Sequence, residues 1–191
     1  RLDTDYLDCL LIHWPNGKPP FSPVRLPGAT PLGETLDAMA DLVAEGRVRH
    51  VGVSNFDVRL LDRARSLSEV PIFANQVQFN PYWDQRNLLS YCRRHDVLVT
   101  AYSPLCHGGV LHDDDLAAVG RRYDKTAAQV AIRWVIQHEG VHAVPKATTR
   151  EHLRANREVF DFELTEAEME RIRRPSKLRA LAGFARSRLS G

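Results

Sequence analysis

The feature that most restricts how this chain can fold is a rhythm of five short apolar runs separated by segments of helical period. The runs are Leu7 to Ile12, Val48 to Val53, Ile72 to Phe79, Val97 to Ala101 and Val141 to Val144, each of strand length. Such runs fit strands covered on both faces, as in a parallel sheet, better than half-exposed antiparallel strands. Between the first two, Thr30 before Pro31 predicts an N-cap followed by a proline in the first helical position. Leu36, Met39, Ala40 and Val43 then share one face, and Gly46 marks the stop. Leu60, Leu61 and Ala64 mark a second helix and Leu88, Leu89 and Cys92 a third. Thr126 with Gln129 and Thr165 with Glu168 have capping-box spacing, so helices are expected to begin at both, and another is expected to open near Thr149 and Arg150.

Strands alternating with helices imply right-handed crossovers, which build either an open doubly wound sheet or a closed barrel. An open dinucleotide-binding sheet should carry G-x-G-x-x-G directly after a strand, and none of these runs is followed by one. The Pro- and Gly-rich stretch from Asn16 to Thr30 reads as a loop or lid, because the same rhythm resumes after it. The expectation is one domain over 1–191, although 191 residues fall short of the roughly 250 typical of a closed eight-stranded β/α barrel.

An apolar fraction of 43% and a net charge of +2 describe an ordinary globular domain and give no reason to expect nucleic acid as a partner. The chain nevertheless ends in a locally basic tail, 175–191, preceded by Arg171, Arg173 and Arg174. Cys9, Cys92 and Cys106 are scattered without CxxC spacing, which points to free thiols in a reducing cytoplasm and away from metal binding. No run approaches the ~18 apolar residues of a membrane span. The first residues are neither a leader nor an initiator Met, so the chain is expected to start in mid-gene.

Polar or aromatic residues sit at or near the ends of the runs: His13 and Trp14, Ser54 and Asn55, Gln76, Tyr102 and Ser103, and Lys146. In a β/α barrel the C-terminal ends of the strands converge on one mouth, so these side chains would line a single site. The blocks Leu11-Ile12-His13-Trp14-Pro15, Asn75-Gln76-Val77-Gln78, Ala101-Tyr102-Ser103-Pro104-Leu105 and Val144-Pro145-Lys146 resemble consecutive segments of the aldo-keto reductases. So does Met39, followed after nine residues by Arg49 and then by Val51 to Phe56, which fits that family's central signature. In appearance the chain is most similar to small bacterial keto-sugar and keto-aldehyde reductases.

The resemblance implies a (β/α)8 TIM barrel of which this chain supplies about strands four to eight, since the family places its catalytic histidine on the fourth. It implies NADPH-dependent reduction of aldehydes and ketones to alcohols, with His13 donating a hydrogen bond to the substrate carbonyl. Trp14 would wall the substrate site, or serve only in packing. Ser54, Asn55 and Gln76 would hold the nicotinamide carboxamide, although Ser54-Asn55 could equally cap the helix that follows. Tyr102 would stack on the nicotinamide, with Ser103 and Leu105 also against the cofactor. Lys146 and Thr148 would meet the 2′-phosphate of NADPH, aided by free amides of the next helix, and Asn156 the adenine.

Two positions depart from the family pattern: Ala147 stands where a Ser or Thr is usual, and His152 where an arginine is usual. NADH is therefore a second cofactor to consider, unless Arg150 compensates. The family's catalytic aspartate, acid tyrosine and lysine belong to the first three strands, so the isolated chain is expected to be inactive and to await a missing N-terminal barrel segment. Two other readings stay open. One is an aldo-keto-reductase-like module that binds without turnover. The other is an aldolase-type barrel using Lys146 in a Schiff base, against which the Ser54, Asn55 and Gln76 set counts.

Overall fold

A computed structural model describes residues 3–15 and 30–174. The stretch expected to form a loop between Asn16 and Thr30 lies almost wholly outside these residues, as does the basic tail 175–191. Five strands, β1 (Leu7–Ile12), β2 (Val48–Ser54), β3 (Ile72–Gln78), β4 (Leu98–Tyr102) and β5 (Val141–Ala143), form one sheet in chain order. β1 pairs in parallel with β2, and β2 with β3. Helices α1 (Leu32–Ala44), α2 (Val58–Leu67) and α3 (Arg86–Arg94) follow β1, β2 and β3 in turn. After β4 come a 3-10 segment, Cys106–His112, and helices α4 (Asp114–Arg122) and α5 (Ala127–Ile136); α6 (Arg150–Arg157) and α7 (Glu166–Ile172) follow β5.

The described residues fall into two compact units, one up to Val77 with Asn87–Val99, the other Gln78–Arg86 with the residues from Thr100 on. In the first unit Val51, Val53, Phe56, Leu61, Ala64 and Leu36 are buried to within 1% of full exclusion from water. In the second, Trp134 leans on Phe79 with ring centroids 5.0 Å apart and donates its indole N–H to the Met169 carbonyl at 2.9 Å. Each such aliphatic side chain removed from water contributes about 1.5–3 kcal/mol.

Several sequence expectations are corrected. Pro31, and not Thr30, occupies the N-cap of α1, with extended backbone angles and no side-chain cap; a proline ring there fixes φ but offers no oxygen to the free amides. α1 ends as expected at Gly46, whose φ of +71° lets its amide reach Val43 while the Arg47 amide reaches Leu42, a Schellman closure. β1 is not covered on both faces: Asp8 and Cys9 are exposed and no residue of the strand is fully buried. α4 was not expected at all, because its pattern is short and begins five residues after the Gly108-Gly109 pair. Both capping boxes form, at Thr126 with Gln129 and at Thr165 with Glu168.

Candidate functional site

The first unit draws its candidate residues into one hydrogen-bonded junction. The register between β2 and β3 shifts at Val51/Gly52, so that Phe73 is an extra residue and Ser54 stands opposite Gln76. Without that bulge Ser54 would face Asn75; bulges are a usual means of re-aiming a side chain beside a site. The strands approach closely here, since a Cβ on Gly52 would lie 2.6 Å from a methyl of Leu11 and 2.7 Å from the Ala74 carbonyl.

The buried Ser54 hydroxyl donates to the Gln76 carbonyl at 2.8 Å, and the Asn55 backbone N–H donates to the same oxygen at 2.8 Å. Asn55, in the left-handed region at φ +65°, donates its carboxamide to the His13 carbonyl and to Ser54 Oγ, both at 3.0 Å. The ends of β1, β2 and β3 are thereby fixed to one another. The capping alternative for Ser54-Asn55 is not realised, because the carboxylate of Asp57 caps α2 by accepting from the Leu60 amide at 2.8 Å. Among the described residues the half-buried side-chain carboxamide of Gln76 makes no hydrogen bond, although its backbone is held twice. The exposed ring of His13 lies 5.7 Å, centroid to centroid, from that of the half-buried Trp14.

Asn75, a residue that the sequence reading passed over as a site, is fully buried beside Gln76. Its amide donates to the Phe56 carbonyl at 2.9 Å, and its carboxamide oxygen has no partner among the described residues.

In the second unit, Tyr102 closes β4, and Ser103 and Leu105 lie in the turn that follows it. Tyr102 is half-buried, and burial pushes its phenol above the usual tyrosine range. Ser103, Cys106 and His107 all adopt left-handed backbone, at φ +50°, +49° and +52°. The turn is held by Asn80, whose side chain donates to the Ser103 carbonyl at 3.0 Å and accepts from the Tyr82 amide at 3.0 Å. Asn80 precedes Pro81, a turn signal that could have found it. The Ser103 hydroxyl lies 3.3 Å from His107 Nε2, and burial lowers the pKa of that imidazole. Burial also pushes the Cys92 and Cys106 thiols up to about 11, so both are poor nucleophiles at neutral pH.

Lys146 and Thr148 are exposed after β5 and Asn156 is half-buried on α6, with no hydrogen bond joining the three among the described residues. The amides of α6 are not all free for an anion: Thr149 caps the helix by accepting from the His152 N–H at 3.1 Å. Among the described residues no group of three His, Cys, Asp or Glu side chains is placed to hold a metal ion, and no helix is long and apolar enough to cross a membrane.

The family model for the aldo/keto reductase family matches residues 1–176. Glyoxal reductase of Bacillus subtilis is 36% identical over 172 residues, covering 90% of this chain and 58% of that protein. The 9,11-endoperoxide prostaglandin H2 reductase of Trypanosoma cruzi is 37% identical over 174 residues, covering 90% of this chain and 57% of its own length. Among solved structures, a putative 2,5-diketo-D-gluconic acid reductase B superposes with a TM-score of 0.80 at 39% identity, over 89% of this chain and 57% of that one. An aldo-keto reductase solved in complex with NADPH gives a TM-score of 0.79 at 28% identity, over 88% of this chain and 54% of that one. The chain thus spans between half and two thirds of the length of these relatives.

Proposed function

Because the chain belongs to the aldo/keto reductase family, we propose that it supplies the catalytic histidine and the cofactor-holding residues of a reductase that converts aldehydes or ketones to alcohols with NADPH. The observation that carries this reading is the junction at Gln76. A half-buried carboxamide without a hydrogen-bond partner among the described residues stands on a backbone clamped by Ser54 and Asn55. One carboxamide can pair with another as donor and acceptor at once, and a fixed backbone limits the freedom lost on doing so. The donor set therefore fits a nicotinamide. When bound, NADPH supplies the hydride. His13, whose main chain is tied to Asn55, is exposed and positioned to donate a hydrogen bond to a carbonyl oxygen as negative charge grows on it. Family resemblance assigns Tyr102 as the stacking face, Ser103 and Leu105 as further cofactor contacts, Trp14 as a substrate wall, Lys146 and Thr148 as 2′-phosphate ligands and Asn156 as an adenine contact.

We take the five strands as strands four to eight of a (β/α)8 barrel, in keeping with the shared length of 57% with the diketogluconate reductase. On this reading 1–191 is one partial barrel domain with a basic tail at 175–191. Reduction then needs the aspartate, acid tyrosine and lysine that the family carries on its first three strands, and this chain alone does not turn over. Its three free cysteines suit a reducing cytoplasm. Its partner is a small carbonyl compound, with neither nucleic acid nor membrane required.

Titration of the 191-residue chain with NADPH, followed by quenching of its tryptophan fluorescence, tests the cofactor reading. Saturable quenching that Gln76→Ala weakens is expected. Saturable quenching that Gln76→Ala leaves unchanged would place the nicotinamide elsewhere.

A further inference from the structure

The arginines near the end of the described chain, which make it look basic, are already matched. Arg171 and Arg174 pair with Asp115, and Arg173 pairs with Asp84 and Glu170. A stripe of exposed arginines without such partners among the described residues lies on α6. Arg150, Arg154 and Arg157 are exposed, and among the described residues none of their side chains makes an ion pair or hydrogen bond. At 100° per residue they fall within about 60° of one another, opposite the side on which Ala155 and Asn156 are partly buried. α1 carries the converse. Glu34, Asp37 and Asp41 are exposed and unpaired among the described residues, and they also share one narrow stripe, opposite the buried Leu36, Met39 and Ala40.

The two stripes match in length and in spacing. The acidic one steps by three and then four residues and the basic one by four and then three, each over about 10 Å of helix. Laid antiparallel, Glu34 meets Arg157, Asp37 meets Arg154 and Asp41 meets Arg150. A foreign polyanion would answer α6 alone and leave α1 without a counterpart, whereas a second copy of this chain answers both. We infer that α1 of one copy docks antiparallel on α6 of another through these three charge pairs, giving weak, salt-sensitive self-association. The association is weak because exposed ion pairs each contribute little. It is salt-sensitive because the screening length falls from about 10 Å at 0.1 M to about 3 Å at 1 M.

Sedimentation equilibrium of the 191-residue chain at about 0.05 M and about 1 M salt tests this. Concentration-dependent association at low salt should fall by about tenfold or more at high salt. A chain with Arg150→Glu, Arg154→Glu and Arg157→Glu should be monomeric, and so should one with Glu34→Arg, Asp37→Arg and Asp41→Arg. An equimolar mixture of the two variants should associate again, because each then presents what the other lacks; that recovery also shows that both variants are folded. A chain that stays monomeric at low salt would overturn the inference. So would association that survives both salt and charge reversal, as edge-to-edge strand pairing would.

Discussion

At Asn55 the backbone stands at φ +65°, where a residue with a Cβ is ordinarily disfavoured by about 1–2 kcal/mol, and its carboxamide makes two hydrogen bonds that tie β1 to β2. Asn55→Gly should remove the bonds and relieve the strain, whereas Asn55→Ala removes the bonds and keeps it. Urea unfolding should therefore rank Ala below Gly by about 1 kcal/mol, and equal midpoints would show that the left-handed conformation is not strained. On the proposed reading, His13 is the residue on which the chemistry rests. In the barrel completed by its first three strands, His13→Ala should lower turnover of an aldehyde by ~10² or more while leaving NADPH affinity within a few-fold. Unchanged turnover would make the histidine structural. His138 has a different effect. It is half-buried against Trp134 and Phe79 at 4.6 and 5.0 Å between centroids, and that burial holds its pKa below the ordinary value although Nδ1 lies 2.7 Å from the Trp134 carbonyl. A histidine whose folded pKa is depressed contributes stability that is present above its unfolded pKa, about 6.5, and is lost as pH falls through the folded one. The urea midpoint should thus drop between pH 7.5 and 5.5, with a shallower drop in His138→Gln; identical slopes would mean that His138 is not the group responsible.

Among the elements, the termini of α5 and α7 were legible because a capping box is a local device written within four residues: Thr126 with Gln129 and Thr165 with Glu168 each close as their spacing implies. Thr126→Ala should lower stability by about 1 kcal/mol by equilibrium unfolding, and a neutral result would mean that the side-chain cap is redundant. What the spacing could not convey is non-local. The bulge that sets Ser54 opposite Gln76 depends on how two strands meet, so Gln76 stood out as a site residue but the clamp on its backbone did not. Asn75 was passed over because burial is invisible in a single sequence, Asn80 although its place before Pro81 is a turn signal, and α4 because it is short and lies directly against a 3-10 turn. At the β5 to α6 connection the sequence named Lys146 but overstated the helix amides, one of which Thr149 already satisfies. If Lys146 holds the 2′-phosphate, Lys146→Ala should weaken NADPH by about 1.5–3 kcal/mol and spare NADH, while His152→Arg should tighten NADPH selectively. Equal weakening of both cofactors would remove the phosphate from this position.

For the whole molecule, β1 and β5 stand at the two ends of the described sheet, and β1 has no fully buried residue. A further strand would fit against such an edge, and this suits a sheet that is part of a larger barrel. It also suits the length relation to the NADPH-bound relative, of which the chain covers 54%. On the proposed reading the chemistry is divided in the same way: hydride transfer to a neutral carbonyl produces an alkoxide that must be protonated as it forms, and the acid tyrosine that would do so belongs to strands that this chain does not supply. The decisive measurement is the rate of NADPH oxidation with a small keto-aldehyde, for the 191-residue chain alone and for the same chain co-expressed with a segment carrying the barrel's first three strands. The proposal predicts no reduction above background by the chain alone and NADPH-dependent reduction once the segment is supplied. Robust reduction by the 191 residues alone would show that the proton donor lies within them, contradicting this division of the active site.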